Sequence, residues 1–458
     1  MVSDIEHSSV EDDLAQLDER RTTRLRATLD LCAQAHPFYR ERWAQAGVDP
    51  VDIRTVDDLE ALPLTTKVDF MSGPESFLLD ATRIPDAPLE IRTIWNTAYT
   101  TGTTTGRPSP FFNTTHDFFL ITDQAHTCAV TEGLHRGDSI GNLYPLTHVP
   151  HGGFASTVRT AEVLGIPVVA GLTGAPYPEF PIHRSVTEAL QVMETANPSI
   201  LWGVPSFLRR FLRRAREEGV QLPNARMVMT SGEAVSANLR DEYLDHLRAF
   251  GANDPQVRVR YAATEMQGGF VQCRNDGEPH NPTPDLYYFE VVDPDTGKRL
   301  PEGEEGQIAL THLHRRGTVF VRYLIGDLIG LRTEHCPYCG RYGERIVIPP
   351  HRTGDLIKVR GMLINPHIIF DVLQADRTIR EYQIVIRKED ESDPDSMDAM
   401  VIRLEADDTD HQRLADAVPA LVREAVMVRP TVEFAGDGEI HDILKTAKAR
   451  RLVDQRAH

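Results

Sequence analysis

Thr100-Thr101-Gly102-Thr103-Thr104-Thr105-Gly106-Arg107-Pro108-Ser109 is the stretch on which the reading of this chain turns. Two glycines let a backbone approach a ligand closely, and successive N–H groups with threonine hydroxyls can donate to phosphate oxygens. Arg107 adds a planar cation suited to bidentate contact with phosphate. The spacing is not that of the GxxxxGK[ST] nucleotide loop, because Arg107 and Pro108 follow Gly106 and no lysine does. Standing alone, the stretch is explained equally well as a polar connector between two strands.

Upstream of this loop the chain reads as largely helical. Leu25, Leu29 and Cys32 share one apolar stripe at helical spacing, and the pattern breaks around Pro63 and again at Pro85 and Pro88. From about residue 91 onward, short apolar runs alternate with helical stretches, which is the signature of α/β layering. Asn142–Pro145, Ile166–Ala170, Ile200–Gly203, Ala225–Thr230 and Val257–Tyr261 are candidate strands, with helices at Ser185–Ala196 and Ser206–Glu218. Tyr287–Val292 and Gly306–His312 flank the turn-rich Asp293-Pro294-Asp295-Thr296-Gly297 and read as an antiparallel pair. A boundary is expected near Pro349–Gly354, giving a large domain over residues 1–352 and a small one over 353–458.

The chain has 458 residues, 41% of them hydrophobic and 26% charged, too long for one core and ordinary for a globular protein. No apolar run approaches the roughly 18–20 residues a bilayer span needs. The polar, acidic N-terminus has no apolar centre, so no secretory signal is expected. The cysteines, Cys32, Cys128, Cys273, Cys336 and Cys339, are few and odd in number, which fits a reducing cytoplasm rather than a disulfide scaffold. A net charge of −19 disfavours sequence-independent binding to nucleic acid or anionic lipid. The expected partners are therefore small molecules, and a homodimer is the assembly considered.

Further segments extend the loop's pattern. Ser231-Gly232-Glu233 follows an apolar strand, where a ligand crevice opens at the strand's carboxyl end. Tyr261-Ala262-Ala263-Thr264-Glu265 ends another, so that Glu265 could ligate Mg²⁺ and Thr264 could donate to phosphate. Then come Arg322-Tyr323-Leu324-Ile325-Gly326-Asp327, Arg352-Thr353-Gly354-Asp355 and a basic C-terminal run, Lys445-Thr446-Ala447-Lys448-Ala449-Arg450-Arg451-Leu452-Val453-Asp454. Each has a plainer reading: a strand-end turn, a solvated carboxylate, an interdomain turn, a basic tail.

In this order, over nearly the whole chain from about residue 20, the segments resemble the acyl-adenylate-forming ligases, and within them the phenylacetate–coenzyme A ligase branch. The family's loop, Thr/Ser-Ser-Gly-Thr-Thr-Gly-Lys-Pro, is matched here with one extra threonine or a glycine displaced by one position. The resemblance implies a large α/β domain with layered sheets and a small, mobile α+β C-terminal domain. It implies that Thr101, Gly102, Thr103, Thr104, Thr105, Gly106 and Arg107 hold ATP phosphates, with Ser231, Gly232, Glu233, Tyr261, Ala262 and Arg352 around the nucleotide. Asp327 would accept from the ribose hydroxyls, and Glu265 would hold Mg²⁺ with Thr264 beside it. Gly354 and Asp355 would be the hinge. Lys448 would be the adenylation lysine, with Lys445 the alternative.

Cys336-Pro337-Tyr338-Cys339 is a CxxC knuckle that needs two further ligands for a tetrahedral metal. Cys273 and His280 are the candidates, supported by a similar Cys…His pair in the branch; His335 competes as a donor and a redox pair is the rival reading. Four protein ligands leave no open position, so a zinc there would be structural. Tyr144, His148, His151, Gly152 and Gly153, together with Trp202 and Gly203, are candidate walls of an acyl pocket, or else core and turn residues. The reaction implied is ATP-dependent activation of a carboxylic acid, aromatic by resemblance, followed by transfer to coenzyme A. An amine, a carrier-protein thiol or nitrite could intercept the same adenylate, and a non-catalytic nucleotide-binding regulator is the reading from another class.

Overall fold

A computed structural model describes residues 14–99, 108–146, 152–174, 183–352, 357–359, 362–390, 396–441 and 449–456. The chain divides into two compact units. One is made of Met1–Asp138, Val149–Pro167 and Arg258–His351, the other of Ser139–His148, Val168–Val257 and Arg352–His458.

The first unit opens with the α-helix Leu14–Ala35, whose Leu25, Leu29 and Cys32 are all buried, as their spacing requires. The next helix, Pro37–Ala46, begins with proline where its missing N–H costs nothing and ends on Gly47 at φ 67°. A four-stranded sheet follows in the order Tyr342–Arg352, Tyr323–His335, Glu305–His312, Tyr287–Val292. Tyr287–Val292 pairs antiparallel with Glu305–His312, confirming the expected pair. The aromatic side chains of Tyr39, Phe70, Phe77, Phe320 and Tyr323 knit the helical N-terminus to this sheet in one core. Phe320 and Tyr323 stack with ring centroids 4.0 Å apart.

The second unit holds a parallel run in the order Val168–Ala170, Ile140–Asn142, Ile200–Gly203, Met227–Ser231. The α-helix Val186–Ala196 precedes its third strand, with Ser185 and Glu188 closing a capping box. The strand expected at Asn142–Pro145 ends earlier, at Asn142. Leu143 still donates to Trp202 O, but Pro145 has no N–H to continue a ladder and the chain turns out of the sheet. A second, mixed sheet runs Thr431–Phe434, Asp398–Glu405, Glu381–Lys388, Leu452–Asp454. Helices Pro366–Ala375 and Asp408–Val426 bury Ile369, Leu373, Leu414, Val418 and Val422 in the same core. Both sheet types and the alternating helices make the fold α/β with layered sheets. Among the described residues no helix is long and apolar enough to cross a membrane.

Candidate active site and metal cluster

The strand Gln256–Ala263 runs into a 3₁₀ turn, Thr264–Met266, that ends on Gln267 at φ 50°. The returning strand Gly268–Phe270 must pass very close. A Cβ on Gly269 would stand 2.3 Å from Tyr261 O, so glycine is required there. This geometry delivers Glu265 into a buried position. His312 Nε2 holds the Glu265 carbonyl at 2.9 Å, and Tyr323 Oη donates to its carboxylate at 3.4 Å. Burial pushes the Glu265 carboxyl up; Lys67 opposes this and the charge of Asp327 adds to it.

Asp327 lies in the strand Tyr323–His335, just after Gly326 at φ 98°. Tyr261 Oη donates to Asp327 Oδ2 at 2.7 Å. Two segments distant in sequence, 261–265 and 322–327, thus bring the carboxylates of Glu265 and Asp327 near enough for each charge to be felt by the other. Arg322, by contrast, is structural. It is buried, its Nε donates to Glu290 Oε1 at 2.7 Å and its Nη1 to Leu62 O at 2.7 Å. For Mg²⁺ the test is chemical: a hard cation wants carboxylate oxygens, and Glu265 offers a buried, desolvated carboxylate. The residues fit.

In the second unit, Tyr144 Oη and Ser231 Oγ share a hydrogen bond of 2.6 Å. Trp202 and Gly203 end the strand Ile200–Gly203, where a Cβ on Gly203 would press on Leu143. Gly232 has φ 93°, a conformation a side chain would strain. Glu233 is occupied by protein donors: Ser206 N–H reaches its Oε2 at 2.9 Å, and Ser206 Oγ and Ala449 N–H reach its Oε1 at 3.0 and 3.3 Å. Gly152 and Gly153, in the first unit, begin the α-helix Gly152–Leu164. Arg352 ends the strand Tyr342–Arg352. Thr101–Arg107, His148, His151, Gly354, Asp355, Lys445 and Lys448 lie outside the described residues.

The cysteine cluster is the tightest agreement between spacing and geometry. The metal-ligating atoms of Cys273, His280, Cys336 and Cys339 all lie within 4.8 Å of one another. Cys273 Sγ is 3.9 Å from Cys336 Sγ, and Cys339 Sγ is 3.3 Å from His280 Nε2. A tetrahedral zinc with Zn–S near 2.3 Å and Zn–N near 2.0 Å would set such atoms roughly 3.4–3.8 Å apart. A disulfide would need about 2.05 Å, and all the cysteines are free. Hydrogen bonding from Cys273 and then from His280 draws the Cys339 thiol down toward thiolate. Neighbouring side chains brace the cluster: Gln272 Nε2 donates to Gly277 O, and Arg274 lies over the Tyr338 ring at 3.8 Å, joining the two ligand-bearing loops. His335 is not part of the cluster.

Three positions have partners that their local sequence does not signal. Lys67, the countercharge near Glu265, is the first residue of the short helix Lys67–Ser72, marked only by its Thr66–Asp69 capping box. Tyr323 lies within the Arg322–Asp327 segment, where nothing local points to Glu265 as its partner. Ser206, the donor to Glu233, looked like an ordinary helix-start serine.

A family model described as AMP-binding enzyme matches residues 10–315, and one described as AMP-binding enzyme C-terminal domain matches residues 361–456. A phenylacetate–coenzyme A ligase of Thermus thermophilus is 27% identical over 387 residues, 82% of this chain and 79% of that protein. The Escherichia coli protein of the same name is 23% identical over 407 residues, covering 84% and 81%. A crystal structure of 2-hydroxyisobutyryl-CoA ligase in the postadenylation state, with 2-HIB-AMP, matches at TM-score 0.79 and 24% identity, over 98% of this chain and 91% of that one. At that identity the likeness carries the fold, that of an adenylate-forming ligase with a large N-terminal and a smaller C-terminal domain. Since the first family model alone spans more than half of the residues and the second follows it in order, the chain belongs to the AMP-binding enzyme family.

Proposed function

We propose that this chain is an AMP-forming acid–thiol ligase that activates a carboxylic acid, aromatic in our reading, and transfers its acyl group to coenzyme A. The observation that carries the reading is the convergence of Tyr261, Glu265 and Asp327, joined by the 2.7 Å bond from Tyr261. In the first half-reaction a carboxylate oxygen attacks the α-phosphorus of ATP, the bond to the bridging oxygen breaks, and pyrophosphate leaves. In the second, the coenzyme A sulfur attacks the acyl carbon and AMP departs. Every reacting group of the first half is anionic, so the protein's task is alignment and charge neutralisation.

The residues divide that task. Asp327 accepts from the ribose hydroxyls with Tyr261 orienting it. Thr101–Arg107 cradle phosphates, Thr264 donates beside them, and Ser231, Gly232 and Ala262 border the nucleotide. Glu265 would hold Mg²⁺, whose charge offsets that of the phosphates. Lys448 supplies the other positive charge, and Gly354–Asp355 lets a domain over residues 353–458 turn between the half-reactions. Tyr144, Trp202 and Gly203 frame the acid, and the curated relatives named for phenylacetate favour an aromatic one. Cys273, His280, Cys336 and Cys339 would hold a zinc, whose role there would be structural.

Purified protein with ATP, Mg²⁺ and a panel spanning phenylacetate, benzoates and short hydroxy acids, assayed for pyrophosphate and for thioester, tests this. Acid-dependent thioester supports it. Pyrophosphate without thioester moves the acceptor to an amine or carrier thiol, and no turnover with any acid refutes the reading.

A further inference from the structure

We infer that Glu233 is a positioning residue that seats the lysine-bearing C-terminal segment for the adenylation half-reaction. The inference rests on the function proposed above. It assigns Glu233 a task that the residue's place in a nucleotide-side motif does not announce.

The argument begins at the helix Pro205–Glu217. Its N-cap is Val204, which has no side-chain acceptor, and its first residue, Pro205, has no N–H. The first free donor, Ser206 N–H, therefore needs an acceptor from elsewhere, and a carboxylate is favoured at a helix N-terminus by the aligned peptide dipoles. Glu233 provides it with Oε2 at 2.9 Å, while Ser206 Oγ donates to Oε1 at 3.0 Å. So fixed, Glu233 has one further lone pair on Oε1, and Ala449 N–H occupies it at 3.3 Å.

Ala449 is bonded directly to Lys448. Beyond it the chain is anchored in its own sheet: Gln383 Nε2 donates to Arg450 O, Ile384 N–H to Arg451 O, and Leu452–Asp454 pairs in parallel with Glu381–Lys388. Arg451 is gripped by Glu381 and by Tyr382 O, and its guanidinium lies 4.1 Å from the Tyr382 ring centroid. These bonds hold the segment to the C-terminal sheet in any arrangement of that sheet. The bond to Glu233 reaches instead to the turn after Met227–Ser231, beside the helix Pro205–Glu217. A cavity of about 180 Å³ lies beside Glu233, lined among others by Ser206, Asp371 and Arg451, the residue two after Ala449. A directional hydrogen bond to a charged acceptor is what registers the residue after Lys448.

The test separates the half-reactions. Glu233→Gln replaces one acceptor oxygen by a donor. It should slow acid-dependent ATP–pyrophosphate exchange roughly 10- to 100-fold, the range of a hydrogen bond to a charged group. Thioester formation from a synthetic acyl-adenylate and coenzyme A should stay within about twofold of the parent. Ser206→Ala, which removes one helix-side bond and leaves Ala449 its acceptor, should keep the ratio of the two rates unchanged. Should Glu233→Gln not fold, Glu233→Asp takes its place, since it keeps the charge and shortens the reach. Equal loss in both half-reactions, or a shifted ratio in Ser206→Ala, overturns the inference. Failure of the unmodified protein to exchange pyrophosphate with any acid overturns the underlying function instead.

Discussion

Tyr261 Oη donates to Asp327 Oδ2 across 2.7 Å, tying the end of one strand to the middle of another 66 residues later. If Asp327 binds ribose, that bond helps orient its carboxylate toward the ligand. Tyr261→Phe should raise KM for ATP about three- to tenfold with kcat little changed, the worth of one ordinary hydrogen bond. Asp327→Ala should raise it further. Steady-state kinetics in ATP check both, and an unchanged KM in Asp327→Ala removes the aspartate from the nucleotide site.

Glu265 carries a pH signature. Its carboxyl is raised above its unfolded value by burial, so the folded state binds the proton more tightly than the unfolded chain. The contribution of this group is then fully present below its unfolded pKa and is lost as pH rises through the folded one. Wherever this buried carboxyl ionises, its charge is a cost that a bound cation would offset. Glu265→Gln should raise the melting temperature of the nucleotide-free protein by about 1–3 °C near pH 7, with the gain fading as pH falls toward about 4.5. The same variant should lose at least roughly 100-fold in acid-dependent pyrophosphate release. A melting temperature that falls at pH 7 contradicts the argument.

The cysteine cluster predicts about one equivalent of zinc per chain by elemental analysis. Cys336→Ser, or prolonged chelation, should remove it and lower the melting temperature by at least about 5 °C. Less than about half an equivalent in freshly purified protein defeats the zinc assignment.

Lys448→Ala should cut adenylation by roughly 100-fold or more while thioester formation from preformed acyl-adenylate proceeds near the parent rate. Equal loss in both steps would pass the role to Lys445 or another residue.

Much of the fold is legible because its signals are local. Ser185 announces a helix three residues before Glu188 completes the box, and Ile200–Gly203 is apolar because both faces of a parallel strand are covered. The metal cluster is legible because CxxC is a spacing with geometric content. What was hidden depends on long-range pairing. Nothing near Ser206 tells that a glutamate 27 positions later accepts its N–H, nor does anything near Lys67 tell that a buried carboxylate lies beside it. The early end of the strand at Asn142 was hidden differently: Leu143 and Tyr144 are apolar enough to extend it, and only the absent N–H of Pro145 stops the ladder.

Cys273 follows Glu265 by eight residues and Cys336 follows Asp327 by nine, so on the zinc reading a single ion fastens the far ends of the two segments that carry those carboxylates. Thiolate sulfur is also the most readily oxidised donor in the chain. A burst of peroxide would then be felt first as a slackened hold on nucleotide, while the aromatic interior around Phe77 and Phe320 stayed whole.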